Sequence, residues 1–186
     1  MAGHSRLLSG FSVLVGKRLN LSPTDLSALE IAANLSQIGK QAVPREIVNK
    51  PGRLTPEEIV EMNRHIEHAL NILKDVDFQL PVQESIAEIY ERLDGSGYPE
   101  ALAGDAINIR ARILGVCDVF CARIRPRSYR GAIAPDLAMT VMSDHPDKYD
   151  AAVVEALKEV LHTQEGEKLV LVARTTGIPQ APSEQG

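Results

Sequence analysis

Tryptophan is absent from this 186-residue chain, and aromatic residues make up only 4% of it. A core must then be built from Leu, Ile, Val and Ala, which suits packed helices better than a strand-rich sandwich. Cysteine is scarce as well: Cys117 and Cys121 lie four apart, share one face of a helix and make no useful staple. That usage reads as a reducing cytoplasm. No apolar run approaches the roughly 20 residues of a membrane span, and no signal peptide opens the chain, so membrane insertion is not expected. No long basic run is present and the net charge is −5, which disfavours broad binding to nucleic acid or to an anionic membrane.

What the chain does carry is helical periodicity. Apolar residues make up 44% of it, enough at this length for one domain with a buried core. Leu8, Phe11, Val15 and Leu19 recur at helical spacing. Ser22 caps a second helix with Pro23 at its first position, running through Leu26, Leu29, Ala33 and Ile38 toward Gly39. Lys50-Pro51-Gly52 signals a turn. Thr55-Pro56-Glu57-Glu58 reads as a capping box, and one helix continues from it along Ile59, Met62, Ile66, Ala69 and Leu73. Pro81 opens a shorter helix bearing Val82, Ile86 and Ile89. From 93 to 106 the helical period lapses, and Gly95, Gly97, Pro99 and Gly104 mark a long loop. A helix from about Asn108 to Ile124 places Ile109, Ile113, Val116 and Phe120 on one face and stops at Pro126. Two more helices follow, about Pro135 to Met142 and Tyr149 to Leu161. Leu169 to Ala173 suits a short strand or an extra turn, and the Pro-, Gly-, Ser- and Gln-rich end from Thr175 reads as flexible. The helical pattern begins within the first few residues, which suits a domain cut from a longer chain or a freestanding protein.

Three features carry potential chemistry. The loop Asp94-Gly95-Ser96-Gly97-Tyr98-Pro99 fixes an unusual backbone path and holds a tyrosine, either as a tight connection with Tyr98 packed as a lid or as a functional loop. Asp118 lies on an apolar helix, with Ala111, Leu114 and Cys121 on its face. A carboxylate there needs a metal, a histidine or an arginine, and Arg110, Arg112 and Arg123 are candidates for a plain salt bridge. His65 flanks the apolar stripe of its helix, where a structural histidine and a ligand are both consistent.

Together with Ile38-Gly39-Lys40-Gln41-Ala42-Val43-Pro44, Lys50-Pro51-Gly52-Arg53-Leu54-Thr55, Arg64-His65, Ala111-Arg112-Ile113-Leu114 and Asp118-Val119-Phe120, these features fall in the order and spacing of HD-GYP domains, which the chain resembles over about residues 4 to 162. The resemblance implies an all-α, HD-domain-like helical bundle with a long Gly-Tyr-Pro loop. An HD-GYP-like domain is expected over residues 1–165, with a flexible C-terminal tail over 166–186. In such relatives a His and Asp cluster holds two or three iron, manganese or similar ions, and bridged water attacks the phosphodiester of cyclic di-GMP.

Carried over position by position, His4 matches the family's first-helix histidine, His65 a ligand of a later helix and Asp118 the last ligand aspartate. The His-Asp pair that names the family is replaced by Ser36 and Gln37, and two adjacent ligand histidines are replaced by Ile89 and Tyr90. Lys40, which in the family supports substrate phosphate and catalytic water, is retained. Arg127 and Arg130 match family positions on the substrate side, and Arg123 and Arg125 extend a cationic patch suited either to phosphate or to surface ion pairs. The resemblance thus implies a degenerate domain in cyclic di-GMP signalling, acting as a regulatory or protein-interaction module. No cofactor is expected, although His4, His65 and Asp118 are a remnant set for a single Fe, Mn or other divalent ion. Two alternatives stand beside it: an atypical metal-dependent phosphodiesterase using those residues and Lys40, and a cyclic di-GMP receptor that does not cleave its ligand, using Lys40, Arg127 and Arg130. In the family the loop carrying Asp94, Gly95, Gly97, Tyr98 and Pro99 is associated with diguanylate-cyclase-type (GGDEF) partners. A homodimer through helices is compatible with the pattern.

Overall fold

The computed structural model describes residues 2–126 and 131–175. Ten α-helices follow one another: α1 (Ala2–Arg18), α2 (Pro23–Leu35), α3 (Arg45–Val48), α4 (Pro56–Asn63), α5 (His65–Leu73), α6 (Val82–Ala87), α7 (Ile109–Ile124), α8 (Pro135–Ser143), α9 (Ala151–Leu161) and α10 (Gln164–Thr175). Short 3₁₀ turns occupy Ile38–Gln41 and Gly104–Ala106. Among the described residues the only β-type pairing is an isolated bridge between Asp94 and Ala103, so the all-α expectation holds. No helix among them is long and apolar enough to cross a membrane.

Local chemistry sets most helix starts. Ser22 accepts from the Asp25 amide, and Asn108 does the same for Ala111. Thr55 and Glu58 form the reciprocal capping box that their spacing implies. Asp150 accepts from the Ala152 and Val153 amides. Helix α7 is the central rod: Ile113, Leu114, Val116, Cys117, Phe120 and Cys121 are almost wholly buried. It packs on α1, where Phe11 meets Phe120 edge to face at 5.2 Å. Ala28, Leu29, Ala32 and Ala33 of α2, Ile66 and Ala69 of α5, Ile86 of α6 and Val153 and Leu157 of α9 complete one continuous core.

Three expectations need correction. The helix expected from Thr55 to Leu73 breaks at Arg64 into α4 and α5. The His65 side chain bonds the Met62 carbonyl at 2.7 Å, taking an acceptor from the helical ladder. Ile59, assigned to the buried stripe, is consequently exposed, whereas Ile66, Ala69 and Leu73 are buried. The second helix stops at Leu35 short of Gly39, and a 3₁₀ turn follows. Finally, the segment 164–175, assigned mostly to the tail, with a short strand or an extra turn at Leu169 to Ala173, is helix α10, and it packs on α1 and α9. Its amphipathic spacing buries Ala173. The boundary drawn at residue 165 therefore falls inside a packed helix, and residues 176–186 lie outside the described residues.

Gly39 fixes the position of the 3₁₀ turn. A Cβ there would sit 1.9 Å from the His65 carbonyl oxygen and 2.6 Å from the Ala69 nitrogen. Only a bare backbone can approach α5 so closely. Gly39→Ala is expected to cost at least about 2–3 kcal/mol, in the range of severe overpacking, read as a lowered denaturant midpoint. A midpoint equal to that of the parent chain would contradict the close approach.

Candidate functional site

His4, on the first turn of α1, and Asp118, midway along α7, meet across the bundle. Nε2 of the histidine and Oδ1 of the carboxylate are 2.7 Å apart, and each side chain is about one-seventh exposed. Burial alone would raise the Asp118 carboxyl, but the hydrogen bond and charge of His4, together with Lys40 and Arg92, outweigh it and hold the group below the ordinary carboxylate range. Two of the arginines proposed as plain partners are engaged elsewhere. Arg110 bonds Asp25 and Glu84, and Arg112 bonds Asp105 and Asp150.

His65 is 2% exposed. Its Nδ1 contacts a carbonyl, which can only accept, so Nδ1 carries the proton and Nε2 presents a lone pair. That Nε2 is buried and has no hydrogen-bond partner. Burial dominates its titration, and the pKa falls to about 4.

The four replaced positions knit together. Ser36 is wholly buried, and its hydroxyl donates to the Ala33 carbonyl at 3.2 Å. The Gln37 amide donates to the Tyr90 hydroxyl at 3.2 Å. Ile89 is a fully buried core residue. Tyr90 stands edge-on to His65 and lies flat on Tyr98, with ring centroids 5.2 Å apart in both pairs. Burial and the nearby Asp118 push the Tyr90 phenol well above its ordinary value, so it stays neutral.

This aromatic column is where the Gly-Tyr-Pro loop attaches. Tyr98 is packed as a lid, its amide donating to the Tyr90 carbonyl at 3.3 Å. Gly97 lies so close that a Cβ would be 2.4 Å from the Cα of Glu91. Glu91, 5% exposed, accepts from the amides of Glu100 at 2.8 Å and Leu102 at 3.0 Å. A buried carboxylate thus satisfies loop amides that no secondary structure pairs. Asp94 accepts from the Ser96 amide at 2.9 Å. Asp94, Ser96, Pro99 and Glu100 form the exposed rim, while Gly95, Gly97 and Tyr98 are partly covered.

Beside the His4–Asp118 pair opens a cleft of about 240 Å³, lined also by Gln37, Lys40, Val48, Ala122 and Arg125. Lys40 comes from the 3₁₀ turn and Arg125 from the residue that ends α7, where the backbone turns extended (φ −91°, ψ 139°). The Nε of Arg125 is buried and has no hydrogen-bond partner. An unsatisfied buried donor of this kind costs about 1–3 kcal/mol, more when charged. Arg127 and Arg130, expected on the substrate side, lie outside the described residues. Glu91 was not among the expected site residues, and Arg125 was expected only as part of a cationic patch suited to phosphate or to surface ion pairs. The signal for Glu91 was a lone acid leading into a glycine-rich loop, and for Arg125 a cation at a helix stop.

A dinuclear centre does not fit this donor set. One alkyl group, one neutral phenol, one hydroxyl and one amide stand where ligands would be needed. Among the described residues no three His, Cys, Asp or Glu side chains converge as a metal set. His4 and Asp118 face each other, while His65 is tied to Met62 and packed on Tyr90.

Comparison with known proteins agrees with this architecture. A family model described as an HD domain matches residues 1–153. The cyclic di-GMP phosphodiesterase response regulator RpfG of Xanthomonas campestris pv. campestris is 35% identical over 153 residues, 81% of this chain and 40% of that protein. The 3'3'-cGAMP-specific phosphodiesterase 1 of Vibrio cholerae serotype O1 is 36% identical over 139 residues, 75% of this chain and 32% of that protein. The chain therefore spans well under half the length of these relatives. Among solved structures, Bd1817, an HDG"Y"P protein from Bdellovibrio bacteriovorus, superposes with a TM-score of 0.70 at 20% identity, covering 86% of this chain and 52% of that one. A cyclic GMP-AMP specific phosphodiesterase of V. cholerae gives 0.63 at 17% identity, covering 91% and 48%. At such identities these two speak for the fold.

The His65 environment has a pH signature. Its folded pKa of about 4 lies below the 6.5 of an ordinary histidine. The unfolded chain therefore takes up a proton first, and stability present above about pH 6.5 is lost as pH falls toward 4. The loss attributable to this group is up to about 3 kcal/mol. Denaturant melts of the parent chain and His65→Gln at pH 7 and pH 4.5 are expected to show a smaller drop for the variant. Equal drops would refute a neutral, buried imidazole.

Proposed function

The chain belongs to the HD domain family, and on that footing we propose that it is a cytoplasmic regulatory module of cyclic di-GMP signalling that does not hydrolyse the dinucleotide. One observation carries this reading. Ser36, Gln37, Ile89 and Tyr90 are bonded and packed among themselves and their neighbours, at the positions where the HD-GYP pattern has metal ligands. Hydrolysis of an unactivated phosphodiester at neutral pH needs a strong nucleophile, and metal-bound water is the source such sites use. His4 and Asp118 are spent on each other, and a tyrosine held neutral offers no anionic oxygen.

The loop supports the interaction half of the proposal. Its backbone is held by Glu91, its tyrosine is stacked on Tyr90, and its outer rim of Asp94, Ser96, Pro99 and Glu100 faces solvent. A preformed loop loses little entropy on docking. A GGDEF-type signalling protein is the proposed partner for it.

Purified protein incubated with Mn²⁺ or Fe²⁺ is expected to leave cyclic di-GMP and 3'3'-cGAMP intact by chromatography, with sub-stoichiometric metal by elemental analysis. Turnover in step with two bound ions per chain would overturn the proposal. Restoring the first pair alone, with Ser36→His and Gln37→Asp, is expected to leave turnover at background, because Ile89 and Tyr90 still occupy the other positions. Turnover by that double variant would show that those two positions are dispensable.

A further inference from the structure

Helix α10 has two faces of different character. Gly166, Leu169 and Ala173 turn into the fold. Gly166 and Ala173 are buried, and Leu169 lies so close to α1 that a Cβ on Gly10 would be 2.9 Å from it. Glu167, Val170, Leu171 and Arg174 form a second stripe, at the i, i+3, i+4, i+7 spacing of one helix face. Leu171 is 65% exposed. With Pro135 of α8 and Leu161 of α9, this stripe borders a groove of about 330 Å³. Glu167 and Arg174 are exposed, and neither forms an ion pair with another described residue.

The order of residues along the stripe selects its partner. An acid, two apolar residues and a base follow one another, symmetric about the point between Val170 and Leu171. A second copy related by a two-fold axis through that point runs antiparallel. Glu167 then meets the partner's Arg174, Arg174 meets the partner's Glu167, and the apolar residues meet between them. A parallel copy would set acid on acid and base on base, which is unfavourable. Each Leu171 also finds a recess in the other copy, the groove beside α8 and α9.

We infer that this face of α10 is a homodimer interface, in which two copies pack antiparallel about Val170 and Leu171 with reciprocal Glu167–Arg174 ion pairs at the ends. An interface of this kind closes on itself and stops at two chains. A pair of 12-residue helices with the edges of α8 and α9 lies at the small end of specific interfaces, so the dimer exchanges with the monomer. The inference is independent of whether the chain hydrolyses a dinucleotide.

The test is sedimentation equilibrium of the full chain from about 1 μM to about 1 mM, the span over which a small interface dissociates. The expected result is a monomer–dimer equilibrium. Leu171→Asp, at an exposed position, is expected to leave a monomer with the circular dichroism of the parent chain. Glu167→Arg and Arg174→Glu each alter both symmetric ion pairs. Each is expected to weaken the dimer about tenfold at low salt, and the loss shrinks as salt is raised. Two rescues follow from the antiparallel order. The double variant carrying both reversals regains parent-like dimerisation. An equimolar mixture of the two single variants forms a heterodimer, because one chain brings two bases and the other two acids. A parent chain that stays monomeric throughout overturns the inference and leaves the face to another protein or another segment. A dimer that survives Leu171→Asp places the interface elsewhere, and a dimer weakened by the single reversals but recovered by neither rescue excludes the antiparallel register; either result overturns it as well.

Discussion

Helix α7 carries a carboxylate into the middle of the bundle, and its neutralisation links the two ends of the fold. Asp118 sits among residues that are almost wholly buried, and its hydrogen-bond partner is His4, 114 positions earlier in the chain. Taking away one member of a buried pair typically costs about 3–5 kcal/mol, because the other is stranded. The pair therefore fastens the first turn of α1 to α7. It also sets the floor of the cleft. Lys40 and Arg92 add to the field that keeps Asp118 ionised, so this side of the molecule is organised around one negative charge and the cations that answer it.

Replacing metal ligands by other residues could have left a hole or a set of unsatisfied polar atoms. Here Ser36 and Gln37 find partners, while the His65 Nε2 and the nearby Arg125 Nε are left buried without one. Gln37 and Tyr90 satisfy each other, Ile89 enlarges the core, and Tyr90 is packed between His65 and Tyr98. A net hydrogen bond contributes about 0.5–1.5 kcal/mol and an aromatic pair a similar amount. Each contact is modest, but they run in a line from α2 to the Gly-Tyr-Pro loop. The loop is consequently held from two sides, by the ring stack and by the Glu91 carboxylate. Rigidity at a surface loop is what a docking element requires, and it is gained here with side chains at positions where the HD-GYP pattern has metal ligands.

Much of the bundle was legible because its determinants are local. The Thr55–Glu58 box, the Ser22 cap and the apolar face of α7 follow from spacing of a few residues. The break at Arg64 was not legible, since the stripe from Ile59 to Leu73 continues through it and only the His65 bond to Met62 interrupts the ladder. Helix α10 was obscured because its residues are polar on average, and its burial of Ala173 depends on the neighbours it meets. The roles of Glu91 and Arg125 are long-range as well. A carboxylate bonding amides nine and eleven residues away, and a guanidinium resting on Gly3, exist only once the chain is folded. Asp118 illustrates the intermediate case: its need for a partner was plain from burial, and the choice of His4 over Arg110 or Arg112 was decided by topology.

The cleft separates two tasks that a metal performs together. A divalent ion neutralises phosphate charge and also lowers the pKa of bound water until hydroxide is available near neutrality. Arginine does the first and not the second: its charge is permanent, it has no open coordination position, and it cannot take a proton from water. Lys40 and Arg125 line the cleft, and Ser36, Gln37, Ile89 and Tyr90 stand at the positions where the HD-GYP pattern has metal ligands, so the side chains beside Asp118 are chemically suited to the first task and not to the second. The Gln37 side chain connects the cleft physically to the Gly-Tyr-Pro loop. It lines the cleft and bonds Tyr90, and Tyr90 stacks on the loop.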